Sequence, residues 1–303
     1  MIDFRPLDPE KKAEYEAILM HSGDRGCEYS FTNLYLWGRQ MAAIFEGHLV
    51  FFSQFNRKSV YLYPVGTGDR KAVLDAIIAD AKERGIPCRF TGLLHDDCAE
   101  LERLYPGRFR YHFDRDSFDY VYAIDDLADL AGRKFQRKRN HLNRFRAEHP
   151  EHTFAPITQE NREDAEAMVS QWYALRLKED PHADYHMEQA AIRKALRQQD
   201  ALGMDGLLLM EGDRILAMTM GSRLSAEAFD IHFEKALDIA DGAYAAINQG
   251  FAQYLREKYP ELKWLNREDD MGLEGLRKAK MSYCPDHMIE KNWACLLEDG
   301  YDY

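Results

Sequence analysis

The same order of elements is legible twice along this chain of 303 residues. In each half an apolar hairpin leads to a strand, a glycine-containing loop, an amphipathic helix and a further strand. In the first half, residues 41–45 and 49–52 are apolar runs on either side of Glu46-Gly47-His48, and glycine supplies the turn. Residues 60–65 read as the next strand, Gly66-Thr67-Gly68-Asp69 as the loop, and 70–84 as a helix with Ala72, Leu74, Ile77, Ile78 and Ala81 on one face. Gly85-Ile86-Pro87 stops that helix, and 88–92 reads as the closing strand. In the second half, 207–210 and 215–224 flank Glu211-Gly212-Asp213, and 228–236 follows as a strand. The loop through Asp241-Gly242 opens a helix over 243–258, Pro260 ends it, and 263–267 is the next strand.

A duplicated pattern of this kind predicts an α+β chain of two similar domains, each a mixed sheet flanked by helices. Length agrees, at roughly 100–200 residues per domain. The expected boundary lies near 125, giving domains 1–125 and 126–303. A helix is expected over 7–19 and a last strand over 288–293. With 46% hydrophobic residues the chain can build its cores without disulfide or metal staples. Its five cysteines, at 27, 88, 98, 284 and 295, include no C-x-x-C pair, so neither a secreted disulfide framework nor a zinc ribbon is expected. His182-Ala-Asp184-Tyr-His186 reads as a polar loop, and no metal is predicted. The acidic, proline-broken start and the lack of an apolar run of about 20 residues predict a cytoplasmic protein with no transmembrane segment.

The net charge of −12 argues against a surface that coats nucleic acid uniformly. One stretch runs against that bulk. Gly132 to Arg146 holds seven Lys/Arg and no acid, and the helix expected over 133–148 places Ala131, Phe135, Leu142 and Phe145 on one arc and Arg133, Arg137, Asn140 and Arg144 opposite. Like charges at i, i+4 repel, so this concentration makes sense where phosphates neutralise it. Arg133, Arg137, Lys138, Arg139 and Arg144 are therefore candidate donor-binding residues. A solvated helix answering the acidic remainder is the alternative.

On the strand 228–236, period-2 alternation puts Asp230, His232 and Glu234 on one face. In a cleft, such groups can be tuned to take a proton; Glu234 is the first candidate base and His232 the second. On an uncovered sheet they are merely solvated. Gly242 and Ala243 stand at a helix start, where free N–H groups bind phosphate, unless Asp238 or Asp241 caps the helix instead. Arg277, Lys278 and Lys280 gather on a short helix and could stabilise developing negative charge. Trp172, Tyr173 and Arg176 either pack or, with Asp230, line an acceptor pocket.

The second half resembles the GNAT acyltransferase superfamily, and the doubled chain resembles the tandem-GNAT aminoacyltransferases. These include the Fem-type peptidoglycan enzymes and the C-terminal domain of phosphatidylglycerol lysyltransferases; the likeness is to an uncharacterised bacterial family related to that domain. Two stretches carry it: Gly132 to Arg146 with its Lys138-Arg139-Asn140 core, and Asn266 to Pro285 with Met271-Gly272-Leu273-Glu274-Gly275-Leu276-Arg277-Lys278-Ala279-Lys280. The resemblance implies a cleft between splayed strands where an activated acyl group meets its acceptor. It also implies that Lys280, before Tyr283-Cys284-Pro285, neutralises charge at the leaving group or donor phosphate. Ala240-Asp241-Gly242-Ala243 only grazes the Arg/Gln-x-x-Gly-x-Gly/Ala loop that binds coenzyme A in GNAT enzymes.

The expected activity is therefore transfer of an aminoacyl group from aminoacyl-tRNA to an amine or hydroxyl, with no tightly bound cofactor. The acceptor would be a small molecule, a peptide or a lipid headgroup. An acyl-CoA-dependent N-acyltransferase and a non-catalytic RNA-binding module are the alternatives.

Overall fold

The computed structural model describes residues 1–20, 25–38, 40–55, 58–238 and 240–297. Along the chain come β1 (Arg5–Pro6), α1 (Lys12–Leu19), α2 (Phe31–Trp37), β2 (Gln40–Phe45), β3 (His48–Phe55), β4 (Lys58–Gly66), α3 (Arg70–Arg84), β5 (Arg89–Leu93), α4 (His95–Leu104) and β6 (Phe109–Phe113). Then follow β7 (Asp119–Ala123), α5 (Ile124–Asp129), α6 (Gln136–Glu148), β8 (His152–Pro156), α7 (Arg162–Glu179), α8 (His186–Leu202), β9 (Met204–Glu211), β10 (Arg214–Arg223) and β11 (Ala228–Ala236). The last elements are α9 (Ala243–Lys258), β12 (Trp264–Asn266), α10 (Glu274–Met281), β13 (His287–Ile289) and β14 (Asn292–Leu296). Among the described residues no helix is long and apolar enough to cross a membrane.

Two mixed sheets result, in the orders β1-β2-β3-β4-β5-β14-β6 and β13-β7-β12-β11-β10-β9-β8. The expected duplication is present as β2-β3-β4-α3-β5 and β9-β10-β11-α9-β12. In both, the helix carries the chain across to a parallel strand, as a parallel neighbour requires. β4 pairs with β5 at Tyr61↔Phe90 and Leu62↔Thr91, and β11 pairs with β12 from Ala228↔Trp264 to Asp230↔Asn266. Beyond Asp230, β11 continues to Ala236 with no β12 beside it, so the two strands part there.

Local chemistry explains where these helices begin and end. Asp69 caps α3, accepting from the N–H groups of Lys71 and Ala72, and Gly85 ends it in the left-handed region (φ 66°). Val73, Leu74 and Ile77 face the first sheet and are fully buried with Val50, Phe52, Tyr61 and Phe90. In the other unit, Ile247, Phe251, Ala252 and Leu255 of α9 are buried together with Leu209, Met218 and Phe229. Each large apolar side chain so buried contributes roughly 1.5–3 kcal/mol relative to exposure.

The compact units differ from the contiguous division read at 125. Unit 1 comprises Met1–Asp119, Asp269–Glu274 and Met288–Tyr303; unit 2 comprises Tyr120–Glu268 and Gly275–His287. Hydrogen bonding is the reason. β14, near the C-terminus, lies between β5 and β6 in the first sheet, and β7 pairs with β12 in the second. The single strand expected over 288–293 is accordingly two strands, β13 and β14, which belong to different sheets. The helix expected from residue 7 begins at Lys12, after a 3-10 turn at Pro9–Lys11.

Candidate functional site

The start of α9, in unit 2, has no side-chain cap, and Gly242 before it is left-handed (φ 91°). A Cβ at Gly242 would sit 2.8 Å from the His141 carbonyl oxygen and 3.0 Å from Phe145 Cβ, so the close approach of α6 requires glycine here. The two aspartates that might have capped α9 are drawn elsewhere. Asp241 pairs with Arg144 of α6, and Asp238 with Arg176 of α7 at 2.9 Å. Ala243 N–H donates to the Ala240 carbonyl at 3.0 Å, which leaves the N–H groups of Tyr244 and Ala245 as the first-turn donors with no acceptor within a helix. The matching position in unit 1 is closed by Asp69.

A pocket of about 350 Å³ opens at this helix end. Gly242, Ala243, Tyr244 and Ala245 form one side, with Lys138 and His141 of α6 and Tyr283 opposite. Lys138 Nζ lies 3.7 Å from the Tyr283 ring centre, and the Arg267 guanidinium lies 5.0 Å from the same ring. Burial, and then the positive charge of Arg267, push the Lys138 pKa down to about 8. Burial instead raises Tyr283 and Tyr122, so neither phenol is a base near neutral pH.

Behind Tyr283 is a buried polar group centred on Glu234. Arg267 Nη2 donates to Glu234 Oε1 at 2.8 Å, and Asn248 Nδ2 of α9 donates to Oε2 at 3.3 Å. Thr219 of β10 is the direct cross-strand partner of Glu234. Thr219 Oγ1, Asn248 Oδ1 and Arg267 Nη1 are buried with no hydrogen-bond partner.

The structure separates Glu234 from the two residues expected beside it. Met220 opposes Phe233 but Gly221 opposes Ile231, so β11 carries one extra residue at this point. Alternation does not persist across such a bulge. Glu234 reaches α9, whereas Asp230 and His232 join Ser222 and Glu268. Ser222 Oγ is 2.8 Å from His232 Nε2, and Glu268 Oε1 and Asp230 Oδ2 lie 3.2 and 3.5 Å from Nδ1. Both ring nitrogens are therefore engaged, and the side chain is only 1% exposed. Neither His232 nor the buried Asp230 lines the pocket at the start of α9.

Lys280 is likewise turned inward. Its Nζ donates to the carbonyls of Arg267 at 2.5 Å and Glu268 at 3.2 Å. Glu268 is left-handed (φ 56°), and its N–H donates to Asn266 Oδ1 at 2.7 Å. Lys280 and His232 thus hold from two sides the strained turn that carries Arg267 to Glu234. Neither residue lines the pocket.

Of the basic stretch, Phe135, Leu142 and Phe145 are buried as the helical arc required, while Ala131 is exposed. Arg139 is committed to the backbone, donating to the carbonyls of Leu130 and Gly132. Arg144 serves Asp241, and Arg133 and Arg137 remain exposed. Arg277 and Lys278 lie on α10 and do not line the pocket. Tyr173 is buried and donates to Glu188 at 2.6 Å; Lys235 Nζ sits 4.2 Å over Trp172. That aromatic group, with Arg176 over Trp172 at 5.1 Å, is a packed cluster.

Two sets of metal-type ligand atoms occur among the described residues: Asp230, His232 and Glu268, and Cys27, Glu28 and Asp119 of unit 1. In the second set the cation is already supplied by Lys291, whose Nζ is 2.6 Å from Asp119, 3.1 Å from Glu28 and 3.7 Å from Cys27 Sγ. Burial opposes its charge, but these partners outweigh burial and hold its pKa well above the ordinary lysine value.

Thr219, Asn248, Arg267, Tyr244 and Tyr283 are site residues that sequence reasoning missed. One signal was available: Asn248-Gln249 interrupts the otherwise apolar buried face of α9.

A doubled sheet-helix-sheet unit, with strands that part beside an uncapped helix, is the tandem GNAT-type fold. FemX shares it, with a TM-score of 0.61 at 12% identity over 98% of both chains. The chain belongs to the family described as phosphatidylglycerol lysyltransferase, C-terminal, whose model matches residues 20–295. The crystal structure of a conserved protein of unknown function from Bacteroides thetaiotaomicron VPI-5482 is similar, with a TM-score of 0.93, 38% identity and coverage of 98% of this chain and 100% of that one. L-PGS from Bacillus licheniformis shares the fold at a TM-score of 0.70 and 17% identity, over 98% and 94% of the two chains. An uncharacterised protein of Mycoplasmoides gallisepticum is 27% identical over 179 residues, 58% of this chain; the match spans about half (55%) of that curated relative.

Proposed function

We propose that unit 2 transfers an aminoacyl group from aminoacyl-tRNA to an amine or hydroxyl acceptor. The observation that carries this reading is the convergence of Lys138, from the basic helix α6, with the uncapped start of α9 at one pocket. Helix N–H groups and the macrodipole favour a donor phosphate there. Arg133 and Arg137, outward on the same helix, extend the positive surface along an RNA backbone. Family membership supports a group-transfer role for the pocket.

The acceptor nitrogen or oxygen attacks the ester carbonyl of the donor, and the ribose oxygen leaves. A leaving alkoxide needs a proton. Lys138, with its pKa pushed down to about 8, is largely protonated at neutral pH yet gives its proton up readily. The amine so formed recovers a proton from the attacking group, which leaves Lys138 as it began. Glu234, expected as the base, is instead paired with Arg267 and Asn248 and does not line the pocket.

The test is transfer of labelled amino acids from charged tRNA to amine and hydroxyl acceptors. Transfer should require intact tRNA and fall about 10²–10⁴-fold in Lys138→Met. tRNA binding without transfer, indifferent to Lys138→Met, would leave only an RNA-binding module. The same helix start also suits a pyrophosphate, which favours an acyl-CoA-dependent N-acyltransferase as the second reading. Saturable transfer from acetyl-CoA, unaffected by tRNA, would establish it in place of the first.

A further inference from the structure

In unit 1 a buried thiol lies against a buried ammonium. Cys27 is 8% exposed and Lys291 6%. Lys291 Nζ is 3.7 Å from Cys27 Sγ, and the two residues are 264 positions apart in the chain. Their contact is held in place by the surrounding groups. The Cys27 N–H donates to Asp119 Oδ2 at 2.7 Å, and Asp119 Oδ1 accepts from Lys291 at 2.6 Å, so one buried carboxylate fixes both partners. Glu28 Oε2 accepts from the same ammonium at 3.1 Å. A Cβ at Gly26 would fall 2.6 Å from Lys291 Cδ, so the bare backbone there lets the lysine stem run in beside the thiol.

An ion pair between Lys291 and Asp119 needs no sulfur. A thiol and an amine in contact, with a base beside them, are instead the groups that oxidative coupling requires. Glu28 supplies the base. Burial, and the charge of Asp119, raise its carboxyl above the usual range against the pull of Lys291, so it accepts a proton more readily than an exposed glutamate. Its Oε2 is 3.8 Å from Cys27 Sγ. Burial also closes Cys27 to a second chain or a bulky thiol, whereas dioxygen is small and uncharged.

We infer that Cys27 and Lys291 are a modification site, joined by dioxygen into a sulfur–oxygen–nitrogen cross-link that a dithiol reverses. No residue of the unit 2 pocket takes part, so the inference stands apart from the transfer reading. Dioxygen adds to the thiol to give S–O–OH. Lys291 Nζ attacks the sulfur-bound oxygen; the N–O bond forms, the O–O bond breaks and the outer oxygen leaves as water. Sulfur and nitrogen each lose two electrons, and these four reduce the two oxygen atoms. The thiol and the ammonium bring four protons: one stays on the bridging nitrogen, two leave in water and Glu28 takes the last. Two equivalents of a dithiol return the four electrons, freeing thiol and amine and releasing the bridging oxygen as water. An oxygen between the two atoms also demands a smaller approach than a direct sulfur–nitrogen bond.

The link would tie Lys291, which directly precedes β14, to a segment that precedes β2. The test is the intact mass of the denatured full chain, kept under reductant or held in air-saturated buffer. The oxidised chain should gain one oxygen atom and lose two hydrogens, its chymotryptic fragments bearing Cys27 and Lys291 should run as one species, and dithiothreitol should restore both. Proteolysis at β14 should slow by about tenfold or more in the joined chain. Cys27→Ser and Lys291→Arg should show no such change of mass. Circular dichroism checks that each variant folds, and the wild-type series stands without them. An unchanged mass, oxidation of Cys27 without a link to Lys291, or a direct sulfur–nitrogen link lacking the oxygen would each overturn the proposal.

Discussion

Replacing Lys138 by methionine tests the electrostatics of the pocket without reference to any substrate. The folded state lowers the Lys138 pKa from 10.5 to about 8, chiefly by burial. At 1.36 kcal/mol per pKa unit, that drop of about 2.5 corresponds to ~3.4 kcal/mol against the charged form. Lys138 is only half-buried, so solvent screening cuts this to about half. Methionine keeps the length of the stem but loses the cation–π contact with Tyr283, worth ~0.5–1 kcal/mol. Lys138→Met should therefore be more stable than the wild type by ~1 kcal/mol near pH 7.

The pH dependence supplies the control. Between about pH 8 and 10.5 the unfolded wild-type chain holds a proton on Lys138 that the folded chain has released, so wild-type stability rises with pH across this window. The penalty is fully present below it. The gap between variant and wild type should thus close, or reverse, by about pH 10. Urea unfolding of both chains at the two pH values measures it. A gap that is unchanged by pH, or a variant less stable than the wild type near pH 7, would refute the assignment of a desolvated ammonium to this pocket.

Glu234→Gln should cost ~3 kcal/mol in urea unfolding, because it strands the Arg267 guanidinium without its buried partner, and Glu234→Gln with Arg267→Met should recover part of that loss. Gly242→Val should lower stability by ~1–3 kcal/mol and abolish donor binding in a filter assay, since the branched side chain meets α6 at a left-handed position. Arg137→Ala should leave stability within ~0.5 kcal/mol and reduce the log–log salt slope of tRNA binding by about 0.9; an unchanged slope removes Arg137 from the RNA contact. Asp69→Ala should destabilise α3 by ~1 kcal/mol in thermal unfolding with transfer unaffected, because it opens only the helix start of unit 1.

Local rules made the limits of α3 and α9 legible to the residue, because glycine and proline marked them; the face of α3 was legible through Leu74, Ile77 and Ala81, but Ala72, expected on it, is exposed and Val73 is buried instead. The basic helix was legible for the same reason, through Phe135, Leu142 and Phe145. What escaped depended on partners far away in sequence. Asp238 and Asp241 looked like caps for α9, and only the arginines of α6 and α7 remove them. Lys138 was one cation among seven until Tyr283 and Arg267 closed over it. Glu234 looked aligned with His232 because period-2 reasoning assumes an unbroken ladder, and a one-residue bulge is invisible in a string of plausible strand residues. The split between β13 and β14 escaped because nothing in six consecutive residues states which of two sheets will take them.

The placement of β14 between β5 and β6 carries a consequence for biogenesis. As the nascent chain emerges, residues 1–119 lack the inner strand of their own sheet until residue 296 has been made, so of the two units the one whose synthesis starts earlier is the later to close. During that interval the facing edges of β5 and β6 are unsatisfied and open to errant pairing. Loss of residues 292–296 should therefore strike residues 1–119 first, and a stop before them would yield fragments fit for proteolysis rather than a working half-protein.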